Sequence, residues 1–411
     1  MLVIVAPGQG AQAPGFLAPW LELPGVTGRL AARSELAGCD LIRYGTTASA
    51  DEITDTAIAQ PLLVAAGLAA AEAAFGELAD VASHAQATAG HSVGELTAGA
   101  IAGVLSADDA LRLVQVRGKA MAAAAAMTPT GMTAVLGGDE KEVLASVEAH
   151  GLTPANVNGA GQIVAAGPLP ELAAFAASPP AKARLKPLRV AGAFHTRHMA
   201  PAVDALREAA AGIAVSDPAI TVLSNRDGAP ARSGADWLAR IVNQVSAPVR
   251  WDECMRSMAG LGVTALIELP PAGTLTGLAR RALPGVALLA LKTPDQLDAA
   301  RALAAEHGAA GLDDDDPLDG HHPGADSHGP EWRLLVAPAA GTFRAGEPVA
   351  LGAVVGTGAE LGLIEARADR KPVTAPCPGA IIEWLVEDGD PVNTGQPLLR
   401  LQPQASEQKA V

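Results

Sequence analysis

Gly90-His91-Ser92-Val93-Gly94-Glu95 is the stretch on which the reading of the fold turns. A serine centred in Gly-x-Ser-x-Gly, preceded by small Ala and Thr residues and followed by a helix-like run to Val104, has the pattern of a nucleophile elbow. The small neighbours let a strand reverse into a helix within a few atoms. Ser92 is then expected at the positive end of that helix, with the Val93 N–H aimed at any oxyanion that forms. Residues 1–310 around it alternate short apolar runs with longer helix-like patterns, the texture of an α/β domain. Leu2–Val5 reads as a buried strand ending at Pro7-Gly8-Gln9-Gly10, and Ala265–Leu269 as a second one stopped by Pro270-Pro271. Pro61 is read as the first residue of an Ala/Leu-rich helix reaching about Ala79. Ser106 is expected to cap the next helix, with Asp108 and Asp109 in its first turn and Arg112, Arg117 and Lys119 along it.

The texture changes between about 123 and 192. Met132–Leu136 and Gln162–Ala166 look like strands around a helical stretch at 139–150, with another helix near 168–177, so a small inserted subdomain is expected. Residues 311–330 have no periodicity and an acidic composition, which reads as a flexible linker. His321, His322 and His328 lie there beside Asp313–Asp316, but a flexible tether would have to lose chain entropy before gaining metal coordination, and no metal site is expected. Residues 331–403 repeat themselves weakly. Ala337-Pro-Ala-Ala-Gly341 returns as Ala375-Pro-Cys-Pro-Gly379, and Gly346-Glu-Pro-Val349 as Gly389-Asp-Pro-Val392. Two similar halves of short strands predict a small all-β sandwich with pseudo-twofold symmetry, followed by a tail at 404–411.

Composition narrows the function. With 44 acidic against 29 basic residues the net charge is −15, which argues against binding nucleic acid through its phosphates. Cys39, Cys254 and Cys377 are far apart and show no metal-ligand spacing, as a reduced cytoplasmic protein would. Met1–Ala6 lacks a basic leader, and no apolar stretch is read as approaching the roughly 20 residues of a membrane span. No membrane partner is expected.

A serine nucleophile needs a base, and nine histidines are available. His91 would point away across the turn, and three others lie in the linker. His195, in Gly192-Ala-Phe-His-Thr-Arg-His198, sits in a loop before the helix opening at Pro201, which suits a presented imidazole; His198 competes with it.

These stretches occur in a recognisable order: Pro7-Gly-Gln-Gly-Ala-Gln12, Ala59-Gln-Pro61, Gly90-His-Ser-Val-Gly-Glu95, Val116-Arg-Gly-Lys-Ala-Met121, Gly131-Met-Thr-Ala-Val135, Asn156-Val-Asn-Gly159, Gly192-Ala-Phe-His195 and Pro248-Val-Arg-Trp251. Over about residues 1–300 the chain resembles malonyl-CoA:acyl carrier protein transacylases and the acyltransferase domains of polyketide synthases. The resemblance implies an α/β-hydrolase-like large subdomain with an inserted ferredoxin-like small subdomain. It also implies Ser92 as nucleophile and His195 as base, with the imidazole oriented by the Gln244 carbonyl rather than a carboxylate. A carbonyl accepting Nδ1–H fixes the tautomer well enough for a dyad to work. The oxyanion hole is implied to be the N–H groups of Gln9 and Val93.

Arg117 is implied to bind the free carboxylate of a malonyl group, since a guanidinium meets a carboxylate with two parallel charge-assisted hydrogen bonds. Gln60 and Gln244 are expected beside it. Phe194 matches the malonyl-selective form, leaving little room for an α-methyl. The activity implied is ping-pong transfer of malonyl from malonyl-CoA to the phosphopantetheine thiol of an acyl carrier protein, with no cofactor. Lys182, Arg184, Lys186 and Arg189 form the densest basic run and are the expected docking site for an acidic carrier. A serine hydrolase or acyl-CoA thioesterase, and a non-catalytic adaptor using the terminal β-module, are the competing readings.

Val373–Ala380 and Val386–Leu398 resemble a biotinyl/lipoyl carrier domain. Its modified lysine belongs in the stretch that here reads Glu365-Ala-Arg-Ala-Asp369, where Ala368 takes its place. An alanine cannot be biotinylated or lipoylated, and Lys371 is three residues away. Docking to a biotin-dependent carboxylase component is one remaining expectation for this module.

Overall fold

Leu2, Ile4 and Ala6 pack into one hydrophobic cluster, and Val3 and Val5 into another. A strand apolar on both faces belongs in the middle of a sheet covered by helices on each side. That is where the computed structural model places it; the structure describes residues 1–190, 192–308, 333–346, 353–366, 369–384, 386, 388–392 and 397–403. Strands β1 (Leu2–Ala6) and β2 (Ala87–Gly90) lie side by side and parallel, Ala6 opposite Gly90. With β7 (Thr221–Leu223), β9 (Ala265–Glu268) and β10 (Ala287–Ala290) they make a five-stranded parallel sheet of order β10-β9-β1-β2-β7. The carboxyl ends of β1, β2 and β7 therefore open on the same side, where an α/β sheet presents its ligand crevice.

The inserted sheet has the order β6-β3-β5-β4-β8, from β3 (Thr130–Gly137), β4 (Thr153–Gly159), β5 (Gln162–Pro168), β6 (Ala183–Pro187) and β8 (Val249–Arg250). Helices Glu140–Ala149 and Leu169–Ala177 connect β3 to β4 and β5 to β6. Helix Ala107–Ala126 runs past residue 123, so the inserted sheet begins only at Thr130. Ser106 caps that helix, accepting from the Asp109 N–H at 3.0 Å.

Two expectations are corrected by the helix Thr56–Phe75. It begins five residues before Pro61, capped by the Asp55 side chain, which accepts from the Ala57 N–H at 2.9 Å, and it stops at Gly76 rather than near Ala79. Pro61 sits inside it. A proline there costs about 3 kcal/mol in an isolated helix, but burial of almost the whole run from Ala59 to Ala71 outweighs the one bond that Pro61 cannot donate. The same helix, 20 residues with a mean hydropathy of 1.6, is long and apolar enough to cross a membrane, contrary to the reading that no stretch came near. It is enclosed by the fold, as a core helix is.

The chain divides into two compact units, Met1–Asp314 and Asp315–Val411. In the second, β11 (Arg333–Val336), β12 (Gly341–Ala345), β13 (Val354–Val355), β14 (Glu360–Ala366), β15 (Asp369–Thr374), β16 (Gly379–Trp384), β17 (Pro391–Val392) and β18 (Pro397–Pro403) form two antiparallel sheets. Their orders are β11-β18-β16-β13 and β15-β14-β12-β17. Exchanging β11–β14 with β15–β18 converts one order into the other, so the repeat in the sequence is a repeat in topology. Gly341 and Gly379, the last residues of the two repeated stretches, occupy matching places: a Cβ on either would lie 2.4 Å from a carbonyl oxygen, Glu365 O or Gln402 O. Phe343 and Ile364 of one sheet cluster with Leu398 of the other. Leu361 likewise joins Ile381, Leu399 and Leu401. Ala368 and the linker histidines His321, His322 and His328 lie outside the described residues. Lys371 lies on β15, exposed, opposite Ile364.

Candidate active site

The end of β2 reverses sharply into the helix Gly94–Ile101, and Ser92 sits in that reversal with φ 54°. The left-handed backbone costs a non-glycine residue about 1–2 kcal/mol, so the surroundings must hold it. The turn after β1 lies directly against it. A Cβ on Gly94 would stand 2.2 Å from Ala6 O, and one on Gly8 2.8 Å from His91 O. Only glycine permits this approach, which brings the backbone of Gln9 next to the elbow. The Gln9 side chain is tied down by its Nε2, which donates to Thr54 O at 3.3 Å and Thr56 Oγ1 at 3.2 Å. Among the described residues neither the Gln9 nor the Val93 N–H has an acceptor. Val93 also precedes the first residue of the Gly94–Ile101 helix, at its positive end.

Of the two histidines left open by the sequence, His195 is the one that meets the serine. Its Nε2 is 2.9 Å from Ser92 Oγ. It too has a left-handed backbone, φ 62°, braced by its N–H donating to Val245 O at 3.1 Å and by Thr196 Oγ1 donating to Ala193 O at 2.7 Å. His195 Nδ1 is 3.1 Å from Gln244 O and also 3.1 Å from Gln244 Nε2. The tautomer with its proton on Nδ1, donated to Gln244 O, leaves Nε2 free to take the serine proton. His198 is half-buried and takes no part in this pair, and His91 turns away to bring its Nε2 2.9 Å from Asn158 Oδ1 on β4.

Arg117 comes from the middle of helix Ala107–Ala126 and is 1% exposed. Its Nη2 donates to Ser92 Oγ at 3.2 Å and to Gln244 Oε1 at 2.9 Å, and its Nη1 to Gln60 Oε1 at 2.7 Å. Gln60 and Gln244 thus grip the guanidinium with their amide oxygens. Burial pulls Arg117 down to about 10, which leaves it cationic at neutral pH. Phe194 is buried in the main hydrophobic cluster beside His195. Lys182, Arg184, Lys186 and Arg189 are all exposed, and Arg184 and Lys186 lie on the edge strand β6 of the inserted sheet. Among the described residues no three His, Cys, Asp or Glu side chains converge as a metal site.

The sequence reading gave no role to Asn225. It lies two residues past β7, whose place beside β2 sets it under the elbow, and its Oδ1 accepts from the Ser92 N–H at 2.6 Å. Only the fold could have singled out this asparagine.

His195 is held far below the ordinary histidine range, to about 3, by burial first and then by the Arg117 charge. Only the neutral ring can accept the Ser92 proton, and lowering its pKa keeps it neutral as the pH falls. The kcat/KM of the Ser92-dependent reaction, which reports groups of the free enzyme, is therefore expected to show no acid limb near 6.5 from His195, whose protonation is held down to about 3. A limb at an unshifted histidine value would contradict the buried, cation-flanked base.

The acyl transferase domain family matches residues 4–309. The malonyl CoA-acyl carrier protein transacylase of Mycobacterium tuberculosis (strain ATCC 25618 / H37Rv) is 55% identical over 301 residues, 72% of this chain and 98% of that protein. The protein of the same name from Escherichia coli (strain K12) is 34% identical over 304 residues, 72% of this chain and 97% of its own. Among solved structures, the M. tuberculosis enzyme superposes with a TM-score of 0.70 at 54% identity, covering 73% of this chain and 99% of that one. A malonyl-transacylase in complex with a type II polyketide synthase acyl-carrier protein superposes with a TM-score of 0.67 at 31% identity, covering 73% and 99%.

Proposed function

The chain belongs to the acyl transferase family, and from that premise we propose that it carries a malonyl group from malonyl-CoA to the phosphopantetheine thiol of an acyl carrier protein. The observation that carries this reading is the buried Arg117 guanidinium 3.2 Å from Ser92 Oγ. A cation buried against a nucleophile suits an acyl group with an anionic far end, and malonyl is such a group.

Ser92 Oγ attacks the thioester carbonyl while its proton passes to His195 Nε2. The carbonyl oxygen becomes an oxyanion facing the N–H groups of Gln9 and Val93. Collapse breaks the C–S bond, and the departing CoA sulfur takes the proton back from His195. The carrier's thiol then gives its proton to His195, attacks the malonyl-Ser92 ester, and Ser92 Oγ recovers a proton as it leaves. Arg117 holds the malonyl carboxylate throughout, so the ester carbonyl stays aligned for the thiol. Phe194 disfavours an α-methyl branch, by about 1–3 kcal/mol for one methyl group. The reaction calls for no metal or prosthetic group, and we place it in the cytoplasm.

Intact mass after mixing with malonyl-CoA tests the proposal. The expected species is a malonyl adduct on Ser92 that disappears when phosphopantetheinylated carrier is added; release as free malonate instead would support the hydrolase reading. The carrier is of fatty-acid or polyketide synthesis, and we assign its docking to Lys182, Arg184, Lys186 and Arg189. Replacing Arg184 and Lys186 by glutamate is expected to raise the carrier KM about tenfold with little effect on malonyl-CoA. An unchanged carrier KM would remove this strip from the docking surface.

The inserted unit, with its fourth, first, third and second strands in that order across the sheet, is read as ferredoxin-like. The large sheet is read as α/β-hydrolase-like, from its elbow at the end of a central strand. The strand exchange between the two sheets of the second unit supports a biotinyl/lipoyl-like sandwich. With Ala368 in place of the lysine it takes neither biotin nor lipoate, which leaves it a docking or structural role. Recovery of a biotin-dependent carboxylase component by the full-length chain, and its loss on deleting residues 331–403, is the outcome the docking role requires.

A further inference from the structure

Ser92 keeps a strained backbone, yet none of the groups in the transfer steps explains what holds it. We propose that Asn225 and Glu95 are positioning residues that clamp the Ser92 turn and so set the rate of acylation, a role that depends on Ser92 being the nucleophile. Asn225 meets both sides of the strained residue. Its Oδ1 accepts from the Ser92 N–H at 2.6 Å, and its Nδ2 donates to Gly90 O at 2.7 Å. An amide turned the other way would set donor against donor and acceptor against acceptor, so the two bonds fix its orientation. The Asn225 N–H in turn donates to Glu95 Oε1 at 2.8 Å, and Glu95 lies three residues after Ser92 on the helix that the elbow starts. Serine, asparagine and glutamate therefore close a ring through the backbone of the elbow itself. Asn225 is 0% and Glu95 2% exposed, so no solvent competes for these bonds.

Glu95 suits this place because it is neutral. Burial pushes its carboxyl up to about 8, against the opposing pull of the Asn225 N–H and of the Arg117 charge. An ionised Glu95 would add negative charge close to where the oxyanion forms and would contend with the substrate carboxylate for the field of Arg117. Strain of this kind persists only where neighbours over-determine it, and the Asn225–Glu95 ring does so at the residue that reacts.

The test uses single-turnover acylation by malonyl-CoA together with inactivation by phenylmethanesulfonyl fluoride, a small neutral reagent for activated serines. Asn225→Ala is expected to slow both about 10²-fold, as a misplaced reacting group does, with the KM for malonyl-CoA nearly unchanged. Glu95→Gln keeps size, neutrality and the Oε1 acceptor and is expected to retain most of the wild-type rate. Glu95→Met keeps the size but loses the acceptor, and is expected to slow acylation; it carries the test if Asn225→Ala does not fold. Wild-type rates in folded Asn225→Ala or Glu95→Met, or a loss confined to KM or to melting temperature, would overturn the proposal. If malonyl-CoA leaves wild-type Ser92 unlabelled while the sulfonyl fluoride labels it, the malonyl reading fails, and the sulfonyl fluoride rates of the variants still decide the clamp.

Discussion

Alanine at position 92 is expected to abolish the malonyl adduct and to lower kcat by about 10⁴-fold or more, as loss of a nucleophile does in serine enzymes. The geometry leaves no substitute. His195 Nε2 and Arg117 Nη2 both converge on the Ser92 oxygen, and among the described residues no second hydroxyl shares those partners. Binding of malonyl-CoA should survive, because Arg117 keeps its bonds to Gln60 and Gln244. Titration of the variant with malonyl-CoA, beside the intact-mass measurement, separates the two outcomes. A persisting adduct would place the nucleophile elsewhere.

The second large effect is on selectivity. If Arg117 holds the malonyl carboxylate as proposed, replacing it by alanine removes two charge-assisted hydrogen bonds worth about 1.5–3 kcal/mol each, an expected loss of roughly 10²- to 10⁴-fold in kcat/KM. Acetyl-CoA has no carboxylate to lose and should fall far less, so the preference for malonyl narrows or reverses. Two features favour the upper part of that range. Arg117 is buried, so its bonds are made away from water, and Gln60 and Gln244 already hold the fork in place. Lysine cannot restore the loss, since a single ammonium offers no paired donors. Equal losses for the two acyl donors would mean that Arg117 serves the fold rather than the substrate.

Much of this site could be read along the chain because its chemistry is local. The elbow needs small residues around one serine, and the Ser106 cap needs a hydroxyl before two aspartates. What escaped depends on contacts distant in sequence. Asn225 is 133 residues from Ser92, and nothing near it marks it as different from any loop asparagine. Strand β4, with Pro154, Asn156 and Asn158, has too little apolar alternation to be read as a strand, yet pairing with β5 and β8 satisfies its backbone. The charged strand β6 concealed itself in the same way, as an edge whose Arg184 and Lys186 face water while Leu185 turns to the core. Pro61 misled because local propensity favours the first turn, whereas the apolar packing of Thr56–Phe75 decided where the helix begins.

The pairing of β11 with β18 sets Arg333, at the start of the second unit's first strand, opposite Leu401, near the end of its last. A module whose two chain ends are neighbours is a natural subject for circular permutation. Its ends could be joined and reopened at the β14–β15 hairpin without breaking either sheet, or the whole module grafted into a loop of another protein.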